Sequence, residues 1–363
     1  MRVPAQQIRR QLVSVFRAWG MSEAHADTTA DMMVETDLRG VDSHGIGMLP
    51  TYDQEFRNGR LNMRPTFKTV RQTAATALID ADASLGHPAA AYGMNLAVDK
   101  CLAVGVGVVD VFNSHHFGAA GCYSRIAADR GVIGMVTSAT RGVTMVPTFG
   151  AEPVMGTNPL AFAAPAKRNP PFELDMATTT VAAGKVRVYK LNHTPLPAGW
   201  VVDGDGKTVT DSAKGFQHVT SRDGGITPLG GTREAGSHKG YGLAVMVDVL
   251  SAVLSGANWG PFTPPFALRQ EMPARSVGKG TGHFFGALRI DAFIDKDEFK
   301  RQIDDFIRTL RKTRPAPGTA GPLIPGDPER EAEAIRRREG IPLVGPVVEE
   351  LRDISRQTGI PLI

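Results

Sequence analysis

Between residues 77 and 137 short apolar runs alternate with helix-forming stretches, and that alternation limits the fold more than any other feature of the chain. Ala77-Leu78-Ile79-Asp80 reads as a strand and residues 88–103 as an Ala-rich helix. Residues 107–111 form an apolar strand broken by Asp110, residues 123–130 a helix, and residues 132–137 another apolar strand. Strands this uniformly apolar are covered on both faces, so the stretch predicts an α/β domain with a largely buried sheet. The turn that would make such a domain a standard dinucleotide fold is missing. Gly105-Val106-Gly107 and Gly278-Lys279-Gly280 do not lead from a strand into a helix, as G-x-G-x-x-G must. There is also no P-loop, G-x-S-x-G elbow or H-E-x-x-H helix.

The rest of the chain reads as follows. Pro4 starts an amphipathic helix with Ile8, Leu12, Val15 and Phe16 on one face, and Trp19-Gly20 ends it. Ser22 caps a second helix running to Leu38, with Met32, Met33 and Val34 as its apolar stripe. Residues 51–59 read as a short helix, residues 150–165 and 172–180 as strands and turns, and residues 200–210 as a hairpin. Asp203-Gly204-Asp205-Gly206 sits in the hairpin as a turn, because the spacing and terminal Glu of a calcium loop are absent. Residues 240–255 form an apolar helix too short to span a bilayer, read as a central core helix. A Pro/Gly-rich loop over residues 256–282, a strand at 283–290, a helix at 295–313, a linker at 315–328 and a last charged helix complete the chain.

At 363 residues, two or three domains are expected. The +4 net charge comes from scattered basic residues without aromatic interleaving, so a nucleic-acid groove is not expected and small anions are the natural partners. Cys101 and Cys122 lack C-x-x-C spacing and sit in apolar or small-residue runs. With no apolar leader and no membrane-length run, they point to a reducing, cytoplasmic setting.

Chemistry concentrates in two polar knots. Residues 41–52 read V-D-S-H-G-I-G-M-L-P-T-Y, and residues 113–118 read N-S-H-H-F-G. An imidazole with an ordinary pKa of about 6.5 suits proton exchange with a carbonyl that accepts a hydride. His44 and His116 are the candidates, with Ser43 and Asp42 placed to orient a ring or bind an oxygen. Neighbours His115 and His116 are not expected to point the same way. Each histidine could instead cap a helix or pin a loop. Gly156-Thr157-Asn158-Pro159, the hydroxyls of residues 175–180, and Lys239 at the start of the apolar helix are further candidates. A cation there opposes the helix dipole unless an anion fills the site.

In this order, the motifs resemble the malate/L-lactate dehydrogenase family of the second type, nearest its hydroxycarboxylate dehydrogenase branch. The resemblance rests on Asp42-Ser43-His44-Gly45, Asn113-Ser114-His115-His116-Phe117-Gly118, Gly156-Thr157-Asn158-Pro159 and Asp175-Met176-Ala177-Thr178 with Gly184-Lys185. It continues in His238-Lys239-Gly240-Tyr241-Gly242-Leu243, Leu323-Ile324-Pro325-Gly326-Asp327 and Arg338-Glu339-Gly340-Ile341-Pro342-Leu343. It implies a non-Rossmann α/β cofactor domain with a mixed sheet, over residues 73–256. The helical domain would be built from both chain ends, residues 1–72 and 257–363. It also implies a homodimer and an NAD- or NADP-dependent enzyme interconverting 2-oxo and 2-hydroxy acids. By the same resemblance His116 and His44, with Ser43, form the catalytic group. Asn158, Asp175, Met176, Ala177, Thr178, Lys239, Gly240, Gly326 and Asp327 would line the cofactor. Many members carry an arginine where this chain has Met48, and an apolar side chain cannot clamp a carboxylate. Arg141, beside Thr140, is the expected substitute. Alternative readings are a cyclic imino-acid reductase, a metal-dependent hydrolase using His44, His115 and His116, and a non-catalytic binding protein.

Overall fold

The structure is a computed structural model that describes residues 1–265 and 273–362. The chain opens with β1 (Arg2–Val3) and α1 (Ala5–Ala18), which buries Ile8, Leu12, Val15 and Phe16 along one stripe. In α2 (Glu23–Leu38) the Ser22 hydroxyl accepts the His25 N–H at 3.3 Å, satisfying one donor of the first turn. A 3₁₀ turn at Ile46–Met48 leads into α3 (Leu49–Arg57).

Next come β2 (Lys68–Gln72), β3 (Thr76–Ser84), α4 (Gly86–Val104), β4 (Val106–Ser114), α5 (Gly121–Asp129), β5 (Ile133–Ser138), β6 (Leu160–Ala164) and β7 (Phe172–Met176). A small layer follows, made of α6 (Ala183–Leu191), β8 (Val201–Val202), α7 (Ser212–Thr220) and β9 (Gly225–Ile226). Then come α8 (Ser237–Asp248), prolonged by a π-helical turn at Val249–Val253, and β10 (Thr281–Leu288). The chain closes with α9 (Lys296–Arg311), α10 (Asp327–Glu339), β11 (Ile341–Pro342) and α11 (Gly345–Thr358).

Seven strands form the main sheet in the order β2-β3-β4-β10-β5-β6-β7. The β3–β4 pair is parallel and the others antiparallel, so the sheet is mixed, as expected. α4 and α5 cover one face, with Ala90, Met94 and Ala97 packed in one core with Val109, Val111 and Phe285. The helix lies so close that a Cβ on Gly107 would fall 1.8 Å from the Ala97 carbonyl oxygen. The other core joins Phe16, Met33 and Tyr52 to Ile341, Leu351 and Ile354. A helical layer is therefore built from both chain ends, and the β1–β11 pair ties them together.

Several details differ from the sequence reading. β10, in the segment expected to return to the helical layer, lies at the centre of the sheet, and β2 adds residues 68–72 to its edge. Pairing between distant strands leaves no local sign in sequence. Three helices were not anticipated. α6 and α7 are short, and α11 repeats Val348, Leu351 and Ile354 behind Gly345-Pro346. The Asp203 turn forms, with its Oδ1 accepting the Asp205 and Lys207 N–H groups at 3.0 and 2.9 Å. Part of the loop expected over residues 256–282, namely 266–272, lies outside the described residues.

The apolar helix is not a central core helix. Ala244, Val247 and Ala252 are buried, but Val245, Met246, Val249, Val253 and Leu254 are 37–61% exposed. Its sequence lacks a polar face because the outward face is apolar too. Among the described residues, no helix is long and apolar enough to cross a membrane.

Candidate active site

A cavity of about 1170 Å³ opens between the helical layer and the sheet, lined by residues of α3, α11, the start of α5, the ends of β5 and β7, and α6 and α7. Both polar knots reach it. The first is pinned from below by Asp37 of α2, whose Oδ2 accepts the Ile46 N–H at 2.8 Å. A Cβ on Gly45 would lie 1.9 Å from Asp37 Oδ1, so the carboxylate fits only under glycine. Burial pushes Asp37 up to about 7.

His44 and His116 come together with ring centroids 5.3 Å apart. His44 Nδ1 lies 2.7 Å from Ser43 Oγ, and burial lowers its pKa to about 4. His116 Nδ1 meets the Tyr52 hydroxyl at 2.7 Å and the Gly118 N–H at 3.3 Å. A backbone N–H can only donate, so His116 Nδ1 is an acceptor and the ring proton sits on Nε2. Burial first, then neighbouring His44 and His87, holds His116 well below the ordinary histidine value. Gly118 has φ +76°, and a Cβ there would approach His87 Nε2 to 2.8 Å. The turn that aims its N–H at His116 therefore requires glycine.

The adjacent histidines part company. His115 Nδ1 receives Arg141 Nη1 at 2.5 Å, and the same Nη1 lies 2.7 Å from Glu55 Oε2. Glu55 also meets Arg60 at 3.3 Å. Burial, then the Arg141 charge, drives His115 down to about 3. Arg141 lines the cavity as expected, but one edge of its guanidinium is already committed to this buried pair.

Of the other expected residues, Ser43, Met48, Thr140, Asp175, Met176, Ala177 and Gly326 line the cavity. Asp175 Oδ2 accepts the Gly121 N–H at 2.8 Å at the start of α5, and burial raises it to about 6. Asn158 stands behind the wall. Its Oδ1 accepts the Thr140 hydroxyl at 3.1 Å, and its Nδ2 donates to Asp248 Oδ1 at 3.0 Å. Thr178 is buried, its hydroxyl 3.1 and 3.0 Å from the Thr157 and Asn158 carbonyl oxygens. Asp327 pairs with Arg330 at 2.7 Å and Arg311 at 2.9 Å and lies outside the lining. Lys239 and Gly240 are also outside it, with Gly240 packed against the Leu229 backbone.

Four residues that sequence reasoning passed over shape the site: Asp37, Tyr52, Glu55 and His283. His283, fully buried on β10, has Nδ1 2.8 Å from Ser138 Oγ. Its Nε2 lies 3.0 Å from Ser114 Oγ and 3.1 Å from the His115 carbonyl oxygen. Tyr52 closes the first knot, and its place there was the one available signal. The other three look like any helix carboxylate or strand histidine. Among the described residues, no three His, Cys, Asp or Glu side chains gather as a metal site.

The family model described as malate/L-lactate dehydrogenase matches residues 3–352. Malate dehydrogenase of Pyrococcus horikoshii is 36% identical over 360 residues, covering 99% of this chain and 96% of that one. Hydroxycarboxylate dehydrogenase B of Escherichia coli K12 is 32% identical over 365 residues, covering 99% and 95%. The crystal structure of malate dehydrogenase from Entamoeba histolytica superposes with a TM-score of 0.92 at 32% identity, covering 100% and 99% of the two chains. Match, relatives and fold agree over nearly the full length, and the chain belongs to the malate/L-lactate dehydrogenase family as an oxidoreductase of the 2-hydroxyacid dehydrogenase class.

Proposed function

We propose that the chain interconverts a 2-oxo acid and a 2-hydroxy acid with a nicotinamide dinucleotide, and that His44 exchanges the proton. The carrying observation is the difference between the two rings. Protonating His116 would set its Nδ1–H against the Gly118 N–H, two donors facing each other. The partner of His44 Nδ1 is the Ser43 hydroxyl, which accepts as readily as it donates. His44 can therefore hold Nδ1–H on Ser43 while Nε2 takes or gives the substrate proton, and His116 stays neutral. Arg141 Nη2, whose partner is the Pro265 carbonyl oxygen at a long 3.4 Å, has a second N–H for the substrate carboxylate, and Met48 gives the pocket an apolar wall.

A nicotinamide dinucleotide fits the donor set. Ala119, Ala120 and Cys122 at the start of α5 line the cavity and can offer N–H groups to phosphate, while the Gly121 N–H is held by Asp175. The Thr144 and Thr281 hydroxyls on the cavity wall are buried without a partner in this chain. When bound, the cofactor supplies the hydride. Asp175, Met176, Ala177 and Gly326 form the adjoining wall.

Turnover of NADH or NADPH with parallel panels of 2-oxo acids and cyclic imino acids tests the reading. Reduction of the oxo-acid panel alone, with oxidation of the dinucleotide, is expected. Turnover confined to imino acids would move the assignment to an imine reductase, and no turnover on either panel would sink it. A pH profile adds a sharper test. With the pKa of His44 lowered to about 4, the neutral, proton-accepting form prevails above that value. kcat/KM for hydroxy-acid oxidation is expected to be flat from about pH 5.5 to 8 and to fall on further acidification. An inflection near about 6.5, the ordinary histidine value, would contradict a desolvated base.

We further propose that a second copy of the chain covers the outward face of α8. An apolar strip of Val245, Met246, Val249, Val253 and Leu254 is what a homodimer interface buries. Val253→Asp with Leu254→Asp is expected to halve the mass in analytical ultracentrifugation. An unchanged mass would place the interface elsewhere.

A further inference from the structure

We propose that Ser138 and Thr281 seat the carboxamide of the nicotinamide ring, with His283 as the positioning residue that fixes the polarity of the seat. The inference rests on the nicotinamide reading above.

The His115 carbonyl can only accept, so His283 Nε2, 3.1 Å away, carries the ring proton and Nδ1 is an acceptor. The Ser138 hydroxyl lies 2.8 Å from that Nδ1 and 3.0 Å from the Ala139 carbonyl oxygen. Both internal neighbours accept, so the single hydroxyl proton is used within the protein whichever it chooses. Ser138 lines the cavity and can offer it only lone pairs. It is an acceptor by construction.

Thr281 is the complement. It lines the same cavity, is 3% exposed, and its hydroxyl has no partner in this chain. The strand register shifts between Thr281 and His283, as a bulge does when it re-aims a side chain. At the intervening Gly282 a Cβ would lie 1.8 Å from the Ser251 carbonyl oxygen. A buried hydroxyl without a partner is costly, so Thr281 is poised to donate to an acceptor that arrives with a ligand.

A primary carboxamide presents N–H donors on one side and a carbonyl acceptor on the other, matching one acceptor and one donor on the wall. The location agrees too. His283 links Ser138 to the His115 carbonyl, one residue from His116, so the seat lies beside the paired His44 and His116 rings. The hydride-bearing ring must lie there, and Phe117, stacked on His283 with centroids 4.6 Å apart, keeps the imidazole from turning.

The test uses calorimetric titration of the full-length protein with the reduced dinucleotide it prefers and with its 3-acetylpyridine analogue, in which a methyl replaces the amide nitrogen. Ser138→Ala is expected to weaken binding of the nicotinamide form roughly 3–10-fold, the span of one lost hydrogen bond, and to leave the acetyl analogue within about twofold. Thr281→Val is expected to weaken both, because both keep the carbonyl. His283→Phe is expected to reproduce the selective loss of Ser138→Ala, and His283→Gln, which retains a donor and an acceptor, to restore it. Equal weakening of the two ligands by Ser138→Ala, or no weakening of either, would overturn the seat. Failure of the unsubstituted protein to bind either ligand would overturn the nicotinamide reading itself, and would be evident before any variant is compared.

Discussion

His44→Gln is expected to lower kcat by roughly 10²–10⁴-fold, the range that a positioned general acid–base supplies. Glutamine keeps a polar side chain beside Ser43 but cannot cycle a proton. The affinity for dinucleotide should stay within about twofold, because binding energy toward the cofactor comes from other walls of the cavity. Stopped-flow measurement of hydride transfer together with a binding titration separates the two effects. The Tyr52→Phe variant is the control for His116. It removes one of the two donors on Nδ1 but leaves the Gly118 N–H in place, so the tautomer persists and a loss of about tenfold or less is expected. If Tyr52→Phe proved as damaging as His44→Gln, the proton would belong to His116.

The largest effect on stability is expected from Glu55→Ala. The Glu55 and Arg141 side chains are 5% and 4% exposed and 2.7 Å apart. Removing the carboxylate would strand a desolvated guanidinium, which typically costs about 3–5 kcal/mol. His115, whose Nδ1 accepts from the same guanidinium, would lose its orientation with it. Chemical denaturation should show this loss. The double variant Glu55→Leu with Arg141→Leu should be less destabilised than either single one, since no charge is then buried alone. A double variant as unstable as the sum of the two singles would mean that the residues do not act as a pair.

The parts of this molecule legible in sequence were those that chemistry confines to a few adjacent residues. Small polar side chains around glycine marked both knots, and the structure brings His44 and His116 within ring contact. What each histidine does was not legible, because that depends on Gly118 and Tyr52 meeting one nitrogen from different segments. Arg141 was found as a cavity cation, but its partner Glu55 lies 86 positions away in the chain and reads like any helix carboxylate. Lys239 shows the limit of a local signal. Local electrostatics at a helix start suggested an anion site, yet the side chain is exposed and away from the cavity. His283 was hidden inside an apolar strand whose neighbours come from distant parts of the chain.

The central position of β10 also dictates when this protein can become itself during synthesis. β4 and β5 flank β10, yet β5 ends at Ser138 and β10 starts at Thr281, so a nascent chain must hold two unpaired strand edges apart while more than a third of its length is made. Such edges invite mispairing, and closure across so long a separation is slow. The α/β layer therefore cannot mature on the ribosome ahead of the C-terminal third, and fragments ending before Thr281 should require chaperone protection to stay in solution.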